Sequence, residues 1–366
     1  MAGKLQGIQV ARAIAALGVM FFHSNLMIGN IPDDHKVVIP YLYEHGYAGV
    51  QLFFVISGFI IAKVLSDPRF VLKGFFIKRF FRLFPVYALA TVAAFYMQQN
   101  AGVPFNLPDP SADFMLKSLA IWPQHEVPFF QVGWTLEHEV VFYALAALLF
   151  PLLGLRWTVI AILALGMSEM IWRIAGYEFW TWHIMSDFNI YFVAGMCLYV
   201  FRDFFSRIPW GAALVASAGI AWVYVDTQYA VPEAYRNAAR IGGWSLASMA
   251  LCTGLLNMPA RNGPIWCTFV FLGNISYSLY LAHWIAYRIA WQVQLRWNLE
   301  AYPEAVRWFG FFGAILLAYF MNRWLEAPSD RIGQRLAKVY NPGHSPHIPS
   351  LRSPSHPGQP DPYGSQ

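Results

Sequence analysis

Charged side chains are scarce in this chain of 366 residues. Asp, Glu, Lys and Arg make up 12% of it, whereas hydrophobic residues make up 57%. Soluble globular domains typically contain about 25% charged residues, so the composition excludes an ordinary soluble globule. Apolar runs near the length of roughly 20 residues that a membrane-spanning helix needs recur along the chain. We therefore predict an all-α, polytopic membrane protein.

The apolar runs predict a bundle of about ten transmembrane helices. They lie near residues 6–28, 47–65, 76–98, 131–153, 156–175, 187–202, 209–226, 241–257, 265–290 and 306–326. No small-x-small cleavage site follows His23, so the first run is interpreted as a retained helix and not as a secretory signal. Most Lys and Arg residues fall on the side that carries both termini, which predicts cytoplasmic termini in a bacterial inner membrane.

Cysteine is also rare, and its pattern argues against a metal centre. Cys197, Cys252 and Cys267 have no CxxC spacing and no histidine at ligand spacing, so we expect them to pack as small apolar residues. No soluble basic tract with interleaved aromatic residues is present, which argues against a nucleic-acid partner. The net charge of +5 is instead attributed to membrane topology.

The last part of the chain differs in composition from the rest. From Asn341 onward it is a mixture of Pro, Ser, Gly and His that cannot bury apolar surface. We therefore predict one transmembrane domain over residues 1–338, followed by a disordered cytoplasmic tail over residues 339–366.

Two ionisable residues, Arg12 and His23, lie within the first predicted helix. Their spacing corresponds to about three helical turns, so both side chains share one face and lie about 16 Å apart along the axis. An ionisable group at membrane depth is costly unless it faces protein or water, so the shared face indicates a polar path inside the bundle. Alternatively, Arg12 reaches lipid headgroups and His23 makes one structural hydrogen bond.

The second and third spans add further polar candidates. Lys78, Arg79 and Arg82 lie at the start of the third span, and Arg79 and Arg82 share a helical face. Paired guanidinium groups suit phosphate oxygens, although such a cluster is equally typical of an anchor to anionic lipid. In the second span, Ser57 and Gly58 interrupt bulky apolar residues, which favours close helix packing and leaves Ser57 as a candidate on the path.

An acidic pair lies at the start of the fourth span. Glu137 and Glu139 are two residues apart and point to nearly opposite sides of a helix, so only one is expected to reach the path that holds His23. A carboxylate beside a histidine raises its basicity, as the deprotonation of a hydroxyl requires. Either acid could instead lie at the membrane interface.

The ninth span carries polar residues on one face. Ser276, Tyr280 and His283 follow one another at helical spacing. This pattern is typical of a substrate groove and also of a hydrogen-bonding seam between helices.

Taken in order, these segments resemble the acyltransferase-3 family of integral membrane acyltransferases. Arg12 and His23 match the signature of its first helix, and the resemblance extends from residue 5 to about residue 338. The later matching stretches are GVQLFFVISGFI, KRFFRLFPVY, WTLEHEVVFY, SYSLYLAH and LEAP. By this alignment Glu139 is the family glutamate. Gln51 is a departure, because the family more often has Asp there.

The resemblance implies transfer of an acyl group, usually acetyl, from cytoplasmic acyl-coenzyme A (acyl-CoA) to a hydroxyl outside the cell. The pattern is most similar to the branch that acetylates exopolysaccharides. Acyl-CoA would be a co-substrate, with no permanently bound cofactor. The other expected partners are a polysaccharide or lipid-linked glycan acceptor and membrane lipid. Acyl transfer to a small molecule or lipid-linked sugar, and a proton-coupled transporter or flippase without bond chemistry, are the alternatives.

This resemblance also implies a role for each candidate residue. Arg79 and Arg82, with Lys78 and Arg12, would hold the coenzyme A phosphates. His23 would act as general base or accept the acyl group itself, with Glu139 as its supporting carboxylate. The substrate path would be lined by Ser57, Ser276, Tyr280 and His283.

Overall fold

The computed structural model describes residues 2–28, 40–106, 110–124, 126–172 and 179–340, and in these ranges all regular secondary structure is helical. The predicted tail from residue 341 onward lies outside the described residues. The helices are α1 (Ala2–Ile28), α2 (Pro40–His45), α3 (Ala48–Leu65), α4 (Leu72–Ala101), α5 (Ala112–Leu119), α6 (Trp134–Trp172), α7 (Phe179–Ile184), α8 (Phe188–Val200), α9 (Arg202–Phe205), α10 (Trp210–Thr227), α11 (Glu233–Asn257), α12 (Pro264–Asn274), α13 (Ser276–Arg296), α14 (Pro303–Met321) and α15 (Ala327–Lys338).

The all-α prediction is confirmed for the described residues, and the chain is a membrane protein. Among the described residues, five helical segments are long and apolar enough to cross a bilayer, or six if α12 and α13 form one bent span. Each of the ten predicted apolar runs contains a described helix, but α8 has 13 residues and is shorter than a bilayer crossing normally requires. The figure of ten spans therefore stays a prediction.

Three of the predicted runs differ in shape from separate straight spans. The runs near 131–153 and 156–175 are two limbs of α6, which bends at Gly154, where φ is +70°. The run near 265–290 is broken by a bend of 78° between α12 and α13. A Cβ atom on Gly273 would lie 1.9 Å from the carbonyl oxygen of Gln9, so α12 approaches α1 directly before the break.

Helix α1 lies at the centre of the bundle and contacts α3, α11, α12, α13 and α14. Its alanines at positions 11, 13 and 15 are fully buried. Their small side chains let the neighbouring helices approach α1 closely. Helix α15 packs against α4, where the Ser329 hydroxyl donates a hydrogen bond to the carbonyl oxygen of Phe81. Because α1 is surrounded by these helices, most of its polar side chains face protein.

The three cysteines are free and differ in their surroundings. Cys252 is buried, Cys197 is half-buried and Cys267 is exposed. Packing as a small apolar residue therefore describes Cys252 better than Cys267.

Candidate active site

Helix α13 supplies the partners of both ionisable residues on α1. Arg12 Nε donates a hydrogen bond to Ser276 Oγ over 2.9 Å. His23 Nδ1 lies 3.0 Å from His283 Nε2. Both side chains therefore leave α1 on the same face, as their spacing predicts, and this face meets a helix.

The contacts of His283 indicate where the protons of the histidine pair lie. His283 Nδ1 is 3.3 Å from the carbonyl oxygen of Leu279, which can only accept, so Nδ1 carries a proton. In a neutral His283, Nε2 is then an acceptor, and His23 Nδ1–H donates to it. This arrangement leaves the lone pair of His23 on Nε2, the atom that a general base or nucleophile uses.

A narrow central cavity, with about 90 Å³ of space accessible to water, lies between α1, α3, α4, α6 and α13. The guanidinium groups of Arg12, Arg79 and Arg82 line it, and Glu139 is the only carboxylate among its described lining residues. The cavity therefore has an excess of positive charge and suits an anionic ligand.

Arg79 is held in the cavity wall by aromatic rings. Its guanidinium carbon lies 5.1 Å from the ring centre of Tyr143 and 5.5 Å from that of Phe75. Its Nε is buried and donates no hydrogen bond within the described part of the chain. Cation–π contacts fix the position of the group without occupying its N–H donors, so these stay available to a ligand.

The two glutamates of α6 face different surroundings, which confirms the geometric prediction made from their spacing. Glu139 lines the central cavity and accepts hydrogen bonds from Ser57 Oγ, over 2.7 Å, and from the Tyr143 hydroxyl. Glu137 is buried elsewhere, where its Oε2 lies 3.2 Å from His183 Nε2. Among the described contacts, Glu139 shares the central cavity with the arginines. The observed partner of His23 is His283.

Tyr280 connects the cavity with the histidine pair. It lines the cavity, and its ring centre lies 5.6 Å from that of His283. Its hydroxyl is 2.9 Å from Thr135 Oγ1 and donates to the carbonyl oxygen of Val132 over 3.1 Å. The ring therefore lies between the guanidinium groups and the two imidazoles.

Neither His23 nor His283 lines this cavity, and two other sequence candidates also lie outside it. Lys78 is half-buried and is not one of its lining residues. Gln51, which replaces the acid more common in the family, is buried, and its Oε1 accepts no hydrogen bond from the residues that the structure describes. Ser57, Ser276 and Tyr280 all line the cavity, whereas His283 lies behind Tyr280.

Sequence reasoning missed the contacts made by Tyr143 and by Glu326. Glu326 is buried in the π-helical turn between α14 and α15, where it accepts hydrogen bonds from Ser278 Oγ over 2.6 Å and from Asn322 Nδ2 over 2.9 Å. It thereby fixes the start of α13 beside Ser276. The LEAP stretch contains this glutamate and was the signal from which its structural role could have been suspected.

Comparisons with known proteins identify the family of the chain. The model of the acyltransferase-3 family, described as an acyltransferase domain, matches residues 5–323. The exopolysaccharide production protein ExoZ of Rhizobium meliloti is 30% identical over 313 residues, which cover 79% of this chain and 91% of ExoZ. BcsY of Komagataeibacter xylinus, assigned as a membrane-bound transacylase, is 26% identical over 77% of this chain and 72% of its own. No solved structure matches the chain.

Proposed function

The chain belongs to the acyltransferase-3 family and is a membrane acyltransferase, and from this premise we propose that it O-acetylates a surface or secreted polysaccharide. The donor is cytoplasmic acetyl-CoA, and the chain lies in a bacterial inner membrane with both termini in the cytoplasm. The observation that carries the proposal is a combination of two features. Three guanidinium groups line one cavity, and the His23–His283 pair lies on the other side of the Tyr280 ring.

The arginines of the central cavity bind the diphosphate of the donor. Arg12, Arg79 and Arg82 present forked N–H donors that suit phosphate oxygens. Lys78 adds positive charge on α4, the helix that carries Arg79 and Arg82. The pantetheine arm of coenzyme A is comparable in length to four or five peptide units, or about 15 Å when extended. Arg12 and His23 are about 16 Å apart along α1, so a diphosphate near Arg12 allows the thioester to reach His23.

His23 Nε2 acts on the acceptor hydroxyl. It accepts the hydroxyl proton as the oxygen attacks the thioester carbonyl carbon. The carbon–sulfur bond then breaks, and the coenzyme A sulfur leaves with the proton from His23. In a second route Nε2 attacks the thioester carbonyl carbon, the carbon–sulfur bond breaks and coenzyme A leaves as the thiolate. The acyl-histidine then passes its acyl group to the acceptor hydroxyl, whose proton goes to the thiolate. His283 is the positioning residue of both routes, because it holds Nδ1–H and directs the lone pair of Nε2 outward.

Glu139 supports the chemistry from the cavity wall. It accepts hydrogen bonds from Ser57 and Tyr143, and it partly balances the charge of the three arginines. A carboxylate in this position limits the mutual repulsion of the guanidinium groups when no donor is bound. Ser57, Ser276 and Tyr280 line the path between the diphosphate and His23.

The choice of a polysaccharide acceptor rests on the relatives. ExoZ carries the name of an exopolysaccharide production protein, and it aligns with this chain over 91% of its own length. Trp122, in the segment after α5, is 54% exposed and offers a flat aromatic surface on which a sugar ring can stack. Transfer to a small molecule or lipid-linked sugar uses the same chemistry, whereas a transporter or flippase needs no acyl donor.

The test is the O-acetyl content of extracellular and surface polysaccharide, measured by proton NMR. Cells produce the wild-type protein, His23→Ala or His45→Ala at matched membrane levels. Because His45 belongs neither to the His23–His283 pair nor to the central cavity, the His45→Ala variant controls for loss of an imidazole. We expect the acetyl signals to disappear only with His23→Ala. Unchanged acetylation in that variant would contradict the proposal, and acetyl-CoA dependence of any remaining activity would then separate a small-molecule transferase from a transporter.

A further inference from the structure

A second cavity opens next to the central one, and the mechanism above does not use it. It has about 550 Å³ of space accessible to water and is lined by the start of α1 and the ends of α3, α8 and α11, together with α9. We call it the vestibule. Arg12 and Ile60 line both the vestibule and the central cavity, so the two spaces meet at these side chains. A ligand long enough to occupy both would pass Arg12.

The vestibule has cations that pair only loosely, or not at all, with the described residues. Lys63 is exposed on the last turn of α3, and no ion pair joins it to another described residue. Arg202 Nε lies 4.0 Å from the nearest described carboxylate, that of the exposed Asp203. Together with Arg12, these groups give the vestibule a positive potential.

Asp67 is the one acid among the described residues that line the vestibule, and it is hydrogen-bonded to Arg69. Asp67 accepts from Arg69 Nε over 3.0 Å and from Arg69 Nη2 over 3.1 Å. This hydrogen-bonded pair raises the pKa of Arg69 above its ordinary value. Because the charge of Asp67 is balanced locally, the carboxylate opposes an incoming anion only weakly.

Aromatic and amide groups accompany these cations. The rings of Phe59 and Tyr199 both line the vestibule, with centres 6.0 Å apart and planes at 75° to each other. The Arg202 guanidinium lies over the Tyr199 ring at 4.9 Å. Gln9 also lines the vestibule, and its buried Oε1 accepts no hydrogen bond from the described residues. Cations beside aromatic faces and a spare amide acceptor suit a phosphorylated purine nucleoside.

We propose that the vestibule binds the 3′-phosphoadenosine end of the acyl-CoA donor. Lys63 and Arg202 bind its 3′-phosphate, Phe59 and Tyr199 contact the adenine, and Gln9 accepts from its amino group. The diphosphate then lies at Arg12, where the two cavities meet, and the pantetheine arm enters the central cavity. This inference rests on the proposed function, because it assigns one end of the donor whose other end reacts at His23.

The direct test is binding of adenosine 3′,5′-bisphosphate to the purified full-length protein, followed by isothermal titration calorimetry. We expect wild-type protein to bind it and the double variant Lys63→Ala/Arg202→Ala to bind at least about tenfold more weakly, as the loss of two phosphate contacts predicts. Arg207→Ala removes an exposed cation near α9 that does not line the vestibule, and it should bind like wild type. Equal binding by the double variant and wild type, or no binding by wild type, would overturn the inference whatever the outcome for acetyl transfer.

A second measurement compares two donors in a transfer assay. Acetyl-4′-phosphopantetheine carries the reactive arm but lacks the 3′-phosphoadenosine end. The double variant should raise the KM for acetyl-CoA about tenfold or more and leave the KM for the truncated donor unchanged. An equal rise for both donors would contradict the assignment, because it would indicate a general disturbance of the bundle. Binding of the bisphosphate without transfer from either donor would support the vestibule and contradict the proposed function.

Discussion

At the scale of single residues, the central feature is an imidazole whose proton is fixed by a second imidazole. His283 is fully buried, and its Nδ1–H points at the Leu279 carbonyl oxygen. Its Nε2 therefore accepts from His23, and the reactive Nε2 of His23 is left without a proton. A membrane interior offers few other ways to choose a tautomer, because water does not compete for the ring nitrogens.

Two amide substitutions of His283 separate its two contacts. In His283→Gln the amide oxygen can take the place of Nε2 and accept from His23, whereas in His283→Asn the shorter amide can only replace Nδ1 near Leu279. We expect Gln to retain most of kcat and Asn to lose about 10²–10⁴-fold, the usual contribution of a positioned general base. The KM for acetyl-CoA should be similar in both variants. The measurement is transfer of radiolabelled acetyl from acetyl-CoA to polysaccharide in membranes.

The two variants also control for folding. Both introduce a polar amide of similar size at one buried position, so they should have similar apparent Tm values in detergent. Equal loss of activity in Gln and Asn, with equal Tm, would remove the tautomer role from His283.

The sequence predicted which residues share a helical face better than it predicted the contacts that those residues make. The shared face of Arg12 and His23 follows from helical spacing alone and is present in the structure. The opposite placement of Glu137 and Glu139 follows from the same rule. That Glu139 meets Ser57 and Tyr143 while His23 meets His283 depends on how four helices pack, and no periodicity within one helix contains that information.

At the scale of helices, α3 and α8 pack at the limit of backbone contact. A Cβ atom on Gly58 would lie 1.9 Å from the carbonyl oxygen of Phe192, and one on Gly195 would lie 1.8 Å from that of Val55. The two glycines thus face each other's helix, and neither tolerates a side chain without a shift of backbone. Ser57, beside Gly58, is thereby held at the wall of the central cavity.

Gly195→Ala should separate these two helices. We expect a loss of about 1–3 kcal/mol in stability, as found for overpacked cores, and a lower apparent Tm in detergent. Gly219→Ala, in α10, is the matched control, because nothing lies within 4 Å of the added methyl group. That control should be neutral or slightly stabilising, since alanine is the better helix former. A Gly195→Ala protein with unchanged Tm would indicate that α3 and α8 lie further apart than described.

The positions of the helices could be predicted because the apolar runs are long. The positions of the bends within those runs could not be predicted. The bend between α12 and α13 lies at Ile275, inside a run that reads as one span. Just before this bend Gly273 contacts α1, which belongs to another part of the sequence. The turn at Gly154 is similar, since a glycine inside an apolar run is compatible with both a straight and a bent helix.

At the scale of the whole molecule, the charges and cavities form a series. The vestibule carries Lys63 and Arg202, the central cavity carries Arg79 and Arg82, and Arg12 lies between them. The histidine pair follows beyond Tyr280. In the proposed orientation the series runs from the cytoplasm outward, because the basic residues mark the inner end of the bundle. A donor from one side and an acceptor from the other would then meet at His23.

Cysteine labelling tests this orientation without an acceptor. In a Cys267→Ser background, which removes the exposed native thiol, Trp122→Cys and Arg202→Cys each place a thiol at an exposed position. We expect a membrane-impermeant maleimide to label Trp122→Cys in right-side-out spheroplasts and Arg202→Cys only in inverted vesicles. Acetyl-CoA should slow labelling of Arg202→Cys alone, because only that thiol would lie beside the bound donor. Labelling of Arg202→Cys in spheroplasts would reverse the orientation and place the vestibule out of reach of cytoplasmic acetyl-CoA.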